Sequence, residues 1–244
     1  MRLSSITPWK ESLVAHFKKM IPLADDNPTR STPVITYIFI ASCVAIFLWQ
    51  LSLGPNVKVA IYALGVIPAS LLQGALLPQE LRWVSPEMTV ITSMFLHGGF
   101  MHLIGNMLYL WVFGDNIEDI LGKPAFIFFY FLCGIVAALS QALPDPSSTI
   151  PMIGASGAIS GVLGAYMVFF PKRSVRVAIP LGFFLQVLRL PAFVVLIFWF
   201  VLQLINSSVS GSDSGIAFGA HIGGFLAGVI LAPMMAVLLR KKRN

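Results

Sequence analysis

Charge is scarce in this sequence: Asp, Glu, Lys and Arg make up 11% of its 244 residues, less than half of the ~25% carried by an ordinary soluble domain. So few charged groups cannot clothe a water-facing surface, which excludes a soluble globular fold. Cysteine is scarcer still. Cys43 and Cys133 both fall inside apolar runs, so a disulfide framework is excluded and each reads as a small buried side chain. The histidines form no Cys/His cluster, and no metal site is expected. The N-terminal residues contain no unbroken apolar stretch of the kind a signal peptide needs. Period-two alternation is missing, and the apolar blocks are too long for strands, so no sheet is expected.

What remains is apolar and arrives in blocks. Hydrophobic residues make up 57% of the chain, and several blocks approach the ~20 residues that cross a bilayer. Six spans are expected, at about 34–53, 92–114, 124–143, 153–170, 190–208 and 215–239. The predicted fold class is an all-α membrane protein, a six-transmembrane-helix bundle over 34–239, with an N-terminal segment at 1–33 and a basic tail at 240–244. In the N-terminal segment Ile6, Trp9, Leu13 and Phe17 recur at helical spacing, with Lys10, Lys18 and Lys19 elsewhere on the wheel. That pattern fits a short amphipathic helix on the membrane surface, and a solvated, partly disordered tail fits the same residues. The long connection 54–91 carries Pro55, Pro68, Pro78 and Pro86 among apolar residues and is expected to dip into the interface. Residues 177–188 are apolar too, but Pro180 and Arg189 predict an interfacial segment in place of a seventh span.

The net charge of +6 raises nucleic acid as a partner, and the placement of the cations excludes it. Arg2, Lys10, Lys18, Lys19 and Arg30 precede the first span, and Lys123 follows the second. Lys172, Arg173, Arg176 and Arg189 follow the fourth, and Arg240, Lys241, Lys242 and Arg243 close the chain. All but two of the 16 cations, Lys58 and Arg82, therefore lie on one side of the bilayer. By the positive-inside rule both termini face the cytoplasm.

Polar groups at bilayer depth are costly and mark functional positions. In this topology the second, fourth and sixth spans enter from the external side, and each carries its unusual polar groups near its beginning. These are His97, His102 and Asn106, then Ser156, then His221. At ~1.5 Å per helical residue, each lies roughly 5 to 20 Å below the external surface. Gly154, Gly157, Gly161 and Gly164 share one face of the fourth span; Gly224 and Gly228 form a GxxxG pair on the sixth, on the face that carries His221. Small residues let membrane helices approach closely, and if those faces meet, the Ser156 hydroxyl reaches the imidazole. A serine is a weak nucleophile until a neighbouring base takes its proton. His102 and Asn106, four apart on one helix face, can donate hydrogen bonds to a developing oxyanion, and the first-turn backbone N–H of Ser156 can join them. No carboxylate matches their depth: Asp115, Glu118 and Asp119 sit at the cytoplasmic end and Asp213 in the loop before the sixth span. A Ser–His dyad is the economical reading. Singly, each feature has a plainer meaning, such as a serine bonding the carbonyl four residues back. Their coincidence at one depth favours chemistry.

These strings resemble a known family. His97-Gly-Gly-Phe-Met-His102-Leu-Ile-Gly-Asn106 resembles the HxxxN element of rhomboid proteases, Gly154-Ala-Ser156-Gly157 their GxSG, and Gly219-Ala-His221-Ile-Gly-Gly224 the AHxxG of their final helix. The similarity extends over about 22–240, including Phe113-Gly114-Asp115-Asn116 and the region from Trp199 to Gln203. It implies the minimal six-span bacterial form, set in the inner (plasma) membrane. It implies nucleophile Ser156, general base His221, oxyanion contacts from His102 and Asn106, and supporting roles for His97, Gly154 and Gly157. It implies no cofactor or metal, and hydrolysis of a peptide bond in or beside the transmembrane segment of a single-span membrane protein.

Two departures from the family pattern carry structural consequences. Many members have Trp-Arg just before the second span; the aligned positions here are about Met88 and Thr89, and the nearby Arg82-Trp83 is reversed. The first external loop therefore needs another anchor. Some members stack a tyrosine, four residues after the nucleophile, on the base. Ser160 stands there in this chain, so the imidazole must be oriented differently. The Ser- and Gly-rich loop 207–215 suits a mobile cap that, with the fifth span, gates substrate entry. A rhomboid-like pseudoprotease would lack one of these groups, and a transporter would show repeated halves and a polar path. The sequence has neither feature.

Overall fold

In the computed structural model, which describes residues 20–181, 184–209 and 217–241, the apolar blocks become helices cut by glycine and proline. Pro33 precedes α1 (Val34–Ser52). The connection behind it folds into α2 (Val57–Leu64), α3 (Pro68–Gln73) and α4 (Pro86–Thr92). Gly74, at φ 67°, closes α3 in the left-handed region that side chains resist. Ser85 caps α4, accepting from the Met88 amide at 3.5 Å. α4 continues through a 3-10 turn (Ser93–Phe95) and then bends by 83° into α5 (Phe100–Leu121). After Gly122 come α6 (Lys123–Ala142), α7 (Ser156–Phe169), α8 (Ala192–Val209) and α9 (Phe218–Lys241).

The chain is a mostly helical membrane protein. Among the described residues α1, α6 and Phe218–Leu239 of α9 are each long and apolar enough to cross a bilayer, and the bent pair Pro86–Phe95 and Phe100–Leu121 is a fourth candidate. Ser156–Phe169 and Ala192–Ile205 are shorter apolar helices. α7 is buried along Gly157 to Tyr166, so protein rather than lipid surrounds it. The second expected span starts later than hydropathy placed it, because the bend leaves Leu96 to Gly99 out of either helix. The expected N-terminal amphipathic helix, and 210–215 of the cap expected at 207–215, lie outside the described residues.

One expectation is corrected. β1 (Ile21–Asp25), β2 (Ser174–Leu181) and β3 (Phe184–Pro191) form a three-stranded antiparallel sheet in the order β1-β2-β3. The expected all-α class thus carries a small sheet, and the interfacial segment at 177–188 is a hairpin. Val175 faces Leu190, Val177 faces Leu188, and Asp25 pairs with Val175. Ala178 and Ile179 are both buried; before them Val175 and Val177 are buried while Arg176 between them is exposed. That is the alternation of a half-buried strand; it runs for too few residues to stand out among apolar neighbours.

The sheet is tied to the helices by polar contacts. The Tyr166 hydroxyl, near the end of α7, donates to Asp25, whose carboxylate also accepts from Asn116 Nδ2 at 3.3 Å; Asn27 donates to Asn116. Burial, with the Asp115 charge nearby, pushes the Asp25 carboxyl up to about 6 against the opposing Tyr166 hydrogen bond. A carboxyl raised on folding favours the folded state in its protonated form. That gain is complete below ~4 and is lost as the pH rises through about 6. Glu118, 1% exposed, reaches from α5 to the start of α1. It accepts from the amides of Ile35 and Thr36 at 3.0 and 2.8 Å and from Thr36 Oγ1 at 2.9 Å. α1 has no side-chain cap of its own, so a carboxylate from another helix satisfies its orphan amides and its positive dipole end. Glu118→Ala is expected to cost about 2–4 kcal/mol, because three buried donors lose their acceptor. Thermal unfolding in detergent measures it, with Glu118→Gln falling between the two.

Candidate active site

Glycine governs the approach of α7 and α9, which make the most extensive helix–helix contact among the described residues. A Cβ on Gly224 would collide with the Gly157 carbonyl, one on Gly228 with the Gly161 carbonyl, and one on Gly164 with the Phe225 carbonyl. On its other flank Gly157 faces α6, where a Cβ would stand 2.6 Å from Ala137 Cβ. The two backbones therefore touch, as small-residue interfaces in membranes permit.

That contact brings Ser156, at the first turn of α7, against His221, one turn into α9. Ser156 Oγ lies 2.8 Å from His221 Nε2. His221 Nδ1 lies 2.8 Å from Gln203 Oε1 on α8. The ring sits between Trp199, 5.9 Å away and tilted by 38°, and Phe218, 6.3 Å away and edge-on at 89°. Trp199 and Phe218 thus border the imidazole in a chain that has Ser160 where some relatives place a tyrosine. Ser160 itself donates to the Ser156 carbonyl at 2.6 Å, the ordinary behaviour of a helical serine. Ser156 points its hydroxyl at a base instead.

Gly154 and α5 supply the other wall. Gly154 has φ 126°, a conformation that side chains rarely adopt, and a Cβ there would stand 2.8 Å from His102 Nε2 and 3.7 Å from Ser156 Oγ. His102 Nε2 is thus seated beside the turn that carries the serine. His102 Nδ1 accepts from the Gly98 amide at 3.3 Å, which leaves the ring proton on Nε2. Asn106, one turn further along α5, is 8% exposed, and its Nδ2 has no hydrogen-bond partner among the described residues. An unpaired buried donor is costly. Here it borders a cavity of about 1080 Å³ that Ser156, His221, His102, Trp199 and Met152 also line.

His97 stands behind this wall rather than in it. It is 1% exposed, its ring 5.2 Å from that of His102. Its Nδ1 donates to the Phe95 carbonyl at 3.2 Å, and its Nε2 has no partner among the described residues. Gln50 of α1, also 1% exposed, clamps the His97 backbone from both ends: Oε1 accepts its amide at 2.9 Å and Nε2 donates to its carbonyl at 3.2 Å. The approach to Ser156 is pinned likewise. Val66 and Met152 exchange backbone hydrogen bonds of 3.0 and 2.8 Å, and the Gly154 amide donates to the Ser93 carbonyl at 2.9 Å. The loop anchor is local. Arg82 Nε donates to the Leu77 carbonyl at 2.5 Å, Trp83 Nε1 to the Glu80 carbonyl at 2.9 Å, and the Trp83 ring meets Trp49 of α1 edge-on at 6.5 Å.

Sequence reasoning missed three amides in apolar helices: Gln50, Gln203, and Gln141, whose Oε1 accepts from the Ala220 amide at 3.3 Å. The rule that intramembrane polar groups mark functional positions applies to amides as it does to histidines, and it would have flagged all three.

A helical membrane bundle that sets a serine hydroxyl against an imidazole in a cavity between its helices belongs to a narrow class of polytopic proteins. The model of the rhomboid domain matches residues 85–237, and the chain belongs to the rhomboid family. It is 28% identical over 205 residues to rhomboid protein 1, mitochondrial, of Saccharomyces cerevisiae, covering 78% of this chain and 54% of that one. It is 28% identical over 207 residues to the rhomboid protease GluP of Bacillus subtilis, covering 84% of this chain and 35% of the other. With the rhomboid protease AarA of Providencia stuartii it shares 30% identity over 164 residues, or 62% and 57% of the two chains. The chain thus spans about half the length of the yeast relative and about a third of GluP.

Proposed function

We propose that this chain is an intramembrane serine endopeptidase that cleaves single-span membrane proteins in or near their transmembrane segment. The observation that carries the reading is the 2.8 Å contact between Ser156 Oγ and His221 Nε2 beside a cavity. Ser156 Oγ attacks the scissile carbonyl as His221 Nε2 takes its proton. The tetrahedral intermediate collapses when His221 gives that proton to the leaving amine, and the acyl-enzyme forms. Water then enters the same cavity and attacks the acyl carbon as His221 takes its proton; the acyl–Oγ bond breaks, His221 returns that proton to Ser156 Oγ, and the new carboxyl terminus is released. The substrate helix must unwind locally, since a regular helix hides its carbonyls.

His102 Nε2–H, Asn106 Nδ2–H and the Ser156 amide form the oxyanion site in this reading; Asn106 already holds a buried donor with no partner among the described residues. Asn106→Ala is expected to lower kcat about 10²- to 10³-fold with little change in KM, because the lost bond forms only as negative charge develops. Gly154 and Gly157 act by leaving room, and His97 by backing His102. In this reading the chain crosses the bilayer six times over about 34–239, counting the short α7 and α8, with the N-terminal segment and basic tail on the cytoplasmic side of a bacterial inner membrane. The partners are the lipid bilayer and the substrate helix.

The test is reconstitution. Wild type, Ser156→Ala and His221→Ala are placed in liposomes with a model single-span substrate, and cleavage is followed on gels alongside labelling by a fluorophosphonate. Cutting and labelling by wild type alone support the reading. Equal cutting by all three proteins overturns it.

A further inference from the structure

We propose that Gln203, on α8, is a positioning residue for this reaction: its side-chain oxygen accepts the Nδ1 proton of His221 and holds the imidazole in the tautomer that can receive a proton from Ser156. The inference rests on the hydrolytic reading above.

A neutral imidazole carries its proton on one of two nitrogens, and its hydrogen-bond partners decide which. Ser156 Oγ is 2.8 Å from Nε2. Proton transfer from the hydroxyl requires a bare Nε2, which puts the ring proton on Nδ1. Nδ1 lies 2.8 Å from Gln203 Oε1, and an amide oxygen only accepts. The proton is therefore held on the far side of the ring from the serine. Gln203 lies four residues after Trp199 and so shares its helix face. One face of α8 thus borders the imidazole with an indole, at 5.9 Å, and offers the acceptor at its edge.

An amide suits this depth better than the carboxylate of soluble triads. A carboxylate inside the bilayer is costly, and Gln203 supplies the acceptor without the charge. The consequence is a smaller effect. The amide orients the ring but gives the imidazolium no full counter-charge, so its removal should cost less than the ~10⁴-fold that follows from a wrong tautomer in a soluble triad. Gln203 is not needed to dock α8 on α9. Phe200 stacks on Phe225 at 4.6 Å and 26°, and Trp199 packs on the same ring at 6.0 Å. Its hydrogen bond is free to serve the imidazole.

The experiment compares Gln203→Ala, Gln203→Met and Gln203→Glu with wild type in the reconstituted cleavage assay from pH 5 to 9. Gln203→Met keeps the length and apolar packing of the side chain and carries the test if the alanine variant aggregates. Loss of the acceptor is expected to lower kcat about 10- to 100-fold with KM within about twofold, and to slow fluorophosphonate labelling of Ser156 by the same factor. Gln203→Glu offers acceptors only. It should recover most of the rate, with the acid limb of its pH–rate profile moved upward by about one unit, since a carboxylate favours the imidazolium. Three results overturn the inference: kcat within twofold of wild type in the alanine and methionine variants, a loss confined to KM, or a glutamate variant as slow as alanine with its acid limb unmoved. Ser156→Ala separates the two levels. If it still cuts, the hydrolytic reading itself fails; if it is dead while Gln203→Met equals wild type, only the role of Gln203 falls.

Discussion

Ser156→Ala and His221→Ala are each expected to slow cleavage by on the order of 10⁵- to 10⁶-fold, and the double variant should be no slower than either. In the proposed mechanism the two groups work as one device: the hydroxyl is inert without the base, and the base has nothing to activate without the hydroxyl. Their separation of 2.8 Å makes the coupling direct. What the proposed mechanism leaves in each variant is its oxyanion site and held substrate, which soluble triads retain as a rate about 10³- to 10⁴-fold above water. Single-turnover cleavage in liposomes measures the loss, and quantified fluorophosphonate labelling of His221→Ala measures the activation of Ser156 separately. Additive losses in the double variant would mean that serine and histidine act independently, which this geometry does not allow.

Gly228→Ala is expected to slow the reaction from a position that lies outside the Ser156–His221 pair. The added Cβ would meet the Gly161 carbonyl carbon at 2.6 Å and its Cα at 2.7 Å. Both obstacles are backbone, so no side chain can swing aside and α9 must move off α7. Overpacking of this kind costs about 1–3 kcal/mol. The larger effect is on rate, because a displacement of ~1 Å in a reacting pair is enough for about 10²-fold. A lowered Tm in detergent together with a 10²-fold fall in kcat is the expected result. Ile230→Val, at an exposed position on the same helix, is the control. It should leave both quantities unchanged.

Hydropathy blocks and the stacked glycines made the helices and the α7–α9 contact legible before any coordinates. Histidine, serine and asparagine stood out because each is rare in an apolar run. The glutamines did not, since a glutamine toward the end of an apolar run reads as the interface; only the fold reveals that Gln50 reaches the His97 backbone and Gln203 the His221 ring. The sheet was hidden for a different reason. β1 and β2 are some 150 residues apart in the chain, and pairing at that range leaves no local signal beyond the brief alternation Val175-Arg176-Val177. The bend before α5 escaped because hydropathy runs through it unbroken: Gly98 and Gly99 stop the helix without interrupting the apolar run.

The brevity of α7 has a consequence for where a substrate is cut. Its 14 residues give a rod of about 21 Å in a hydrocarbon layer ~30 Å thick. Were Phe169 level with the inner boundary, the hydroxyl of Ser156 would stand about 9 Å beneath the outer one, or some six residues down a neighbouring helix. In the proposed reaction α7 would then work as a ruler. It would select a bond by depth before any side chain is inspected, and the outward product would leave with a greasy stub about six residues long.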